Sequence, residues 1–190
     1  MRDRLKTSDA GGFTLIELLV ALAITAILAA LAAPSFTSFF AKKRIEGLMS
    51  ELVTDLQYAR SEAVQRNTLV QVTLGTNCYV IHALPPTATT TSGDTSCTQT
   101  DGTASTIGAG ETELKTVKVA IGSPASFSPT SGTIVFDPVR GMATISSGAG
   151  MITITSNVGS WNLRANITTI GRASTCSPAG AGNVAGYSAC

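Results

Sequence analysis

The chain has 190 residues, room for one modest domain and an appendage. Only 13% of them are charged, against about 25% in an average soluble protein, and 13 Lys+Arg face 12 Asp+Glu for a net charge of +1. That balance excludes a histone-like basic protein and an acidic-tail protein, and a single His beside four Cys argues against a metal cluster or metal cofactor.

The missing charge is concentrated near the start. Arg2, Arg4 and Lys6 precede a run, residues 18–41, with no charged side chain in 24 positions. That is long enough to cross a bilayer as a helix. Positive charge ahead of an apolar run marks a segment whose start stays in the cytoplasm. The pattern alone leaves two readings. One is an ordinary cleaved signal peptide, with Ala30-Leu31-Ala32 as an A-x-A site. The other keeps the run on the protein as an anchor.

The residues in front of the run, Gly11-Gly12-Phe13-Thr14-Leu15-Ile16-Glu17, resemble the type IV pilin leader motif. The resemblance implies that prepilin peptidase cuts between Gly12 and Phe13, that Phe13 is then N-methylated, and that Glu17 is the fifth residue of the mature chain. It also implies that the apolar run is retained. Losing residues 1–12 removes Arg2, Asp3, Arg4, Lys6 and Asp9, which leaves side chains neutral in sum. A carboxylate at the head of a membrane helix is costly without a partner. Glu17 lies near the positive end of the helix dipole, and in a filament it can pair with the terminal amine of a neighbour. Pro34 removes one backbone hydrogen bond and is expected to kink the helix over residues 13–40.

Lys42, Lys43 and Arg44 follow the run as a short basic cluster, an anchor at the headgroups or a solvated helix face. Ile45, Leu48, Leu52, Leu56, Ala59 and Ala63 then recur at spacings of three and four. They predict an amphipathic helix over 41–67, with Glu46, Glu51, Asp55, Arg60 and Glu62 mostly off the apolar stripe. The end of this helix, residues 58–67, reads Y-A-R-S-E-A-V-Q-R-N and resembles the GspH/FimT family of minor pilins and pseudopilins. Arg60, Glu62 and Arg66 also fit a simple structural part, pairing with each other or with the sheet.

The remaining body, 68–170, is rich in Thr, Val and Ile. Strands are predicted at 68–74, 78–84, 114–121, 132–136, 142–145, 151–155 and 162–168. Asp137-Pro138-Val139-Arg140-Gly141 is a turn, and residues 136–141 resemble a hairpin of the same family. The fold expected is α+β, type IV pilin-like: a long N-terminal helix, transmembrane then amphipathic, packed on an antiparallel sheet or sandwich. Residues 85–110, opened by Pro85-Pro86 and rich in Thr, Ser and Gly, read as a long exposed loop. His82, on a strand near a turn, reads as a surface or internally satisfied residue.

In an exported protein the cysteines meet an oxidising compartment. Four allow three pairings. Local pairing, Cys78 with Cys97 and Cys176 with Cys190, is the simplest and closes the tail, 171–190, into a ring. Asp137 is the last acidic residue, and the 53 residues after it hold Arg140, Arg164 and Arg172. In the FimT branch a G-R-x-R motif at this place is associated with DNA binding. Here the chain has Gly171-Arg172-Ala173-Ser174, one arginine instead of two. Arg172 and Arg164 are the candidate DNA contacts, against a structural cap or subunit contact.

The resemblance implies a minor pilin that initiates or caps a type IV pilus. It would be held in the inner membrane by a single span with a periplasmic C-terminal domain. Its partners would be other pilins, prepilin peptidase, inner-membrane lipid and, in natural transformation, DNA. An H-type pseudopilin of a type II secretion pseudopilus is the alternative, as is a DNA receptor at the filament tip. No cofactor is expected, and no catalytic constellation stands out.

Overall fold

The computed structural model describes residues 12–75, 77–88, 108–120, 122–129, 132–145, 150–156, 158–180 and 182–190. Cys97 and residues 89–107 of the expected loop lie outside them. The chain divides into two units between Thr37 and Ser38.

The two predicted helical segments form one helix, α1 (Leu15–Arg66), of 52 residues. Within the first unit, Thr14 caps it by accepting the Glu17 N–H on its hydroxyl, at 3.3 Å. Pro34 sits inside the helix, and the Thr37 hydroxyl donates to the Pro34 carbonyl at 2.9 Å. Asn67, at φ 53°, stops α1 in the left-handed conformation that Asn tolerates.

In the second unit, α1 buries Ala41, Ile45, Met49, Leu52, Leu56, Ala59 and Ala63. Met49, rather than Leu48, continues the stripe from Ile45, because steps of four and three in alternation keep pace with 3.6 residues per turn. Leu48 packs half-buried at its edge. Asp55, expected off the stripe, is buried on it.

Nine strands follow among the described residues: β1 (Val70–Gly75), β2 (Cys78–Ala83), β3 (Thr112–Lys118), β4 (Ala125–Pro129), β5 (Thr133–Phe136), β6 (Ala143–Ile145), β7 (Met151–Ser156), β8 (Asn162–Ile167) and β9 (Ala173–Cys176). One sheet has the order β3-β2-β1-β5-β6 and the other β4-β7-β8-β9. Every paired strand is antiparallel. Period two sends Val70, Val72 and Leu74 of β1, and Tyr79 and Ile81 of β2, into the core. Ile152 and Ile154 of β7 and Leu163 and Ala165 of β8 enter the same cluster. α1 and both sheets thus share one aliphatic core, with Tyr79 and Phe127 meeting edge to face at 5.6 Å. The fold is α+β and pilin-like. Strands β4 and β9 were not anticipated, and β9 carries the sheet past residue 170 into the tail.

Candidate functional site

Gly12 and Phe13 precede the first turn of α1, and Phe13 is 85% exposed. Thr14 and Glu17 have the S/T-x-x-E spacing of a capping box. The backbone half of that box is formed. Among the described residues Glu17 has no charged partner. Around it Leu15, Ile16, Leu18 and Leu19 are all more than half exposed. Lipid or other apolar helices can cover the aliphatic side chains, while the carboxylate needs a polar or cationic partner of its own.

Near the other end of α1, Arg60 lies under two turns. A Cβ added to Gly141 would stand 2.8 Å from Arg60 Nε, and one added to Gly171 would stand 2.6 Å from the Gly141 carbonyl oxygen and 3.4 Å from Arg60 Nε. The β5–β6 turn and the β8–β9 turn therefore touch, both packed on this arginine. Only glycine allows the approach, and both sit at positive φ, 59° and 75°. Asp137 shapes the first turn by accepting the Val139 and Arg140 N–H groups on Oδ1, each at 2.8 Å. Those bonds, the Arg140 one first, hold its carboxyl below the usual value. Thr168 shapes the second, accepting the Arg172 N–H at 3.3 Å. Arg140 and Arg172 are exposed and flank the touching glycines, beside the exposed Val139 and Ile170. Glu62 and Arg66 pair with each other at 2.6 Å.

Arg164 is elsewhere, inside β8, half-buried, in register with Thr153 and Cys176. The structure does not join it with Arg172 in one exposed patch. Cys176 and Cys190 form a disulfide, with Cα atoms 5.0 Å apart. The ring it closes buries Val184 and Ser177, and the Ser177 hydroxyl accepts the Val184 N–H at 2.8 Å. Cys78 is disulfide-bonded; Cys97, its expected partner, lies outside the described residues.

Two polar clusters are buried, one around Asp55, which was expected off the apolar stripe, and one around His82, where the internally satisfied reading holds and the surface reading does not. Asp55 accepts the Tyr79 hydroxyl at 2.6 Å and Lys115 Nζ at 2.8 Å. Burial first, then this hydrogen bond, pushes the Tyr79 hydroxyl far above its usual value, and the bond to Asp55 raises Lys115. A carboxylate on an apolar stripe, four residues before Ala59, was the available signal. The second group surrounds His82, which is fully buried. Its Nδ1 lies 2.8 Å from Glu111 Oε2 and its Nε2 3.2 Å from the Thr73 hydroxyl, which accepts Gln71 Nε2 at 3.1 Å. A neutral ring protonated on Nδ1 satisfies this whole chain. Burial holds the His82 pKa below its usual value, although Glu111 opposes this.

A family model described as type II transport protein GspH matches residues 48–171. A second, described as prokaryotic N-terminal methylation motif, matches residues 7–33. No curated protein and no solved structure matches the chain. The first match covers the last part of α1, from residue 48, and the strands through the Arg60 corner, and the second covers the end of the leader, from residue 7, and most of the apolar run.

Proposed function

The chain belongs to the type II transport protein GspH family, and on that premise we propose that this minor pilin or pseudopilin initiates or caps a type IV pilus. The observation that carries the reading is the joining, in one chain, of a methylation-motif segment to a GspH body through an unbroken helix. The helix is apolar for one bilayer thickness and then amphipathic. Prepilin peptidase would cut after Gly12 and Phe13 would be methylated. The apolar half would hold the subunit in the inner membrane, with the β-rich body in the periplasm. Stacking with other pilins would then transfer that half from lipid to a helix bundle. Glu17, without a charged partner among the described residues, would find one in a neighbour's terminal amine. Pro34 would let the helix bend during that transfer. The role is structural, not catalytic.

Deleting the gene tests the assignment. Loss of twitching with normal protein secretion is the expected outcome. A secretion defect with normal twitching would move the protein to a type II secretion pseudopilus, the reading that the family's own description favours.

A DNA contact is the second reading. The sequence lacks the second arginine of G-R-x-R, but the contact between Gly141 and Gly171 sets Arg140 and Arg172 on neighbouring turns. Two exposed cations at one corner neutralise more phosphate than one. Retardation of duplex DNA by the protein, weakened in Arg172→Ala and again in Arg140→Ala/Arg172→Ala, would support it. No retardation at low salt rejects it.

A further inference from the structure

Lys42, Lys43 and Arg44 come directly after the uncharged run. In a chain held in a bilayer by that run, they stand at the headgroup layer. Whatever packs on them stands at the same level. The side chains that do so come from distant parts of the second unit.

Lys42 Nζ lies 5.7 Å from the centre of the Trp161 ring. Trp161, half-buried with one side packed against the core, ends the β7–β8 turn, which also carries the exposed Val158 and two positive-φ residues, Gly159 and Ser160. The turn is pressed onto α1 at this level. A Cβ at Gly159 would stand 2.5 Å from Trp161 Nε1 and 3.0 Å from the Ser38 hydroxyl. Lys43 Nζ lies 5.9 Å from the Phe39 ring. Phe39 and Phe40 are both more than half exposed. Arg44 donates from Nε to the Ser123 hydroxyl at 3.0 Å. It also lines an open groove of about 690 Å³ with Lys115 and Lys118.

This collar is not purely cationic. Glu46 lies 2.7 Å from Lys43 and 4.0 Å from Lys42, while Glu51 and Asp55 hold Lys115. At the level of residues 42–46 three cations, Lys42, Lys43 and Arg44, face the single carboxylate of Glu46, so a positive excess remains there. Aromatic rings, an exposed aliphatic side chain and excess positive charge at one level match the boundary of an anionic bilayer. Indole and phenyl rings settle at the headgroup depth. Lys and Arg there are drawn to anionic lipid, with their stems along apolar surface.

We propose that the second unit has a lipid-binding surface of its own, formed by Phe39, Lys42, Lys43, Arg44, Val158 and Trp161, which docks on an anionic headgroup layer before filament assembly. It rests on the reading that the apolar run is held in a membrane, and it adds a contact beyond that run. It also makes the β7–β8 turn, a connection with no other assigned part, a membrane-facing element.

Trp161 is the only tryptophan in the chain, so its fluorescence reports this surface alone. The experiment reconstitutes the full chain in phosphatidylcholine vesicles with or without phosphatidylglycerol. The vesicles carry lipid brominated either near the headgroup or deep in the acyl chains. The expected result is stronger quenching by shallow than by deep bromine, greater with phosphatidylglycerol and weakened by salt. Lys43→Gln/Arg44→Gln leaves Lys42 on the ring and reduces the quenching with circular dichroism unchanged. Adding Lys42→Gln reduces it further. The proposal is overturned if chains that float with the vesicles show no quenching by shallow bromine while Trp161 stays open to acrylamide. It is also overturned if the emission follows the protein-to-lipid ratio and ignores lipid charge, which assigns the surface to a neighbouring chain. Chains that fail to float overturn the anchor reading and this proposal with it, so the two failures are distinct.

Discussion

The Tyr79 hydroxyl, at the start of β2, donates a 2.6 Å hydrogen bond to the Asp55 carboxylate, about three turns from the end of α1. Both residues are buried, and Lys115 of β3 completes the group from the other side at 2.8 Å. One carboxylate therefore ties the helix to two strands of the five-stranded sheet. Replacing it with Ala leaves a buried hydroxyl without its acceptor and leaves the Lys115 ammonium with only the more exposed Glu51, 3.3 Å away. Asp55→Ala is expected to lose about 3 kcal/mol of stability, and Tyr79→Phe about 1 kcal/mol. Urea denaturation of the two variants checks the order. Equal losses would show that the carboxylate contributes no more than one neutral hydrogen bond.

The Tyr79 hydroxyl is raised in the folded protein and is therefore kept neutral there. Its stabilising contribution is complete below the unfolded value of about 10 and is lost as pH rises above it. Unfolding followed from pH 8 to 11 is expected to show a steeper alkaline loss for the parent protein than for Tyr79→Phe.

His82 has the opposite shift. Its folded pKa lies below 6.5, so the unfolded chain takes up a proton first as pH falls. Stability from this group is present above about pH 6.5 and declines below it, before most carboxylates titrate. Melting temperatures at pH 7.5, 6.5 and 5.5 are expected to fall faster for the parent than for His82→Gln. Parallel curves would mean that Glu111 stabilises the imidazolium enough to cancel the burial.

The glycines over Arg60 separate two kinds of crowding. In Gly141→Ala the new methyl meets a side chain, Arg60 Nε. In Gly171→Ala it meets a backbone oxygen. Each also pays about 1–2 kcal/mol for a left-handed non-glycine residue. Adding Arg60→Ala is expected to recover part of the first loss and little of the second. A double-mutant cycle measures the difference.

Cutting the C-terminal ring removes a constraint on about fifteen residues. Cys176→Ser/Cys190→Ser is expected to cost about 3 kcal/mol. It is also expected to expose the tail, including the buried Val184, to limited proteolysis. A tail equally resistant without the disulfide would show that packing at Val184 and Ser177 suffices to hold it.

Much of the fold could be read from periodicity. The unbroken run of helical spacing through Arg66 and the alternation of β1 and β7 are strong signals because each buries one apolar face. The two strands not foreseen, β4 and β9, are the two edges of the four-stranded sheet. An edge strand has one neighbour and can be built from small polar residues, and Ala173–Cys176 contains only Ala, Ser, Thr and Cys. Asp55 was set on the solvent side because an amphipathic pattern counts charge as exposed. Its burial depends on Tyr79 and Lys115, two strands that the sequence places 24 and 60 residues away. The neighbourhood of Arg140 and Arg172 was hidden for the same reason, since only the fold brings the two turns together. By contrast, Gly12, Phe13 and Glu17 stood out because their spacing is local.

The disulfide between Cys176 and Cys190 also has a mechanical meaning. A pull applied at Cys190 does not peel residues 177–189 away one at a time. The load passes through sulfur to Cys176, at the end of β9, and from there into the antiparallel ladder with β8. Residues 176–190 are thus a closed clip whose load is carried by the ladder and not by the contacts inside the ring.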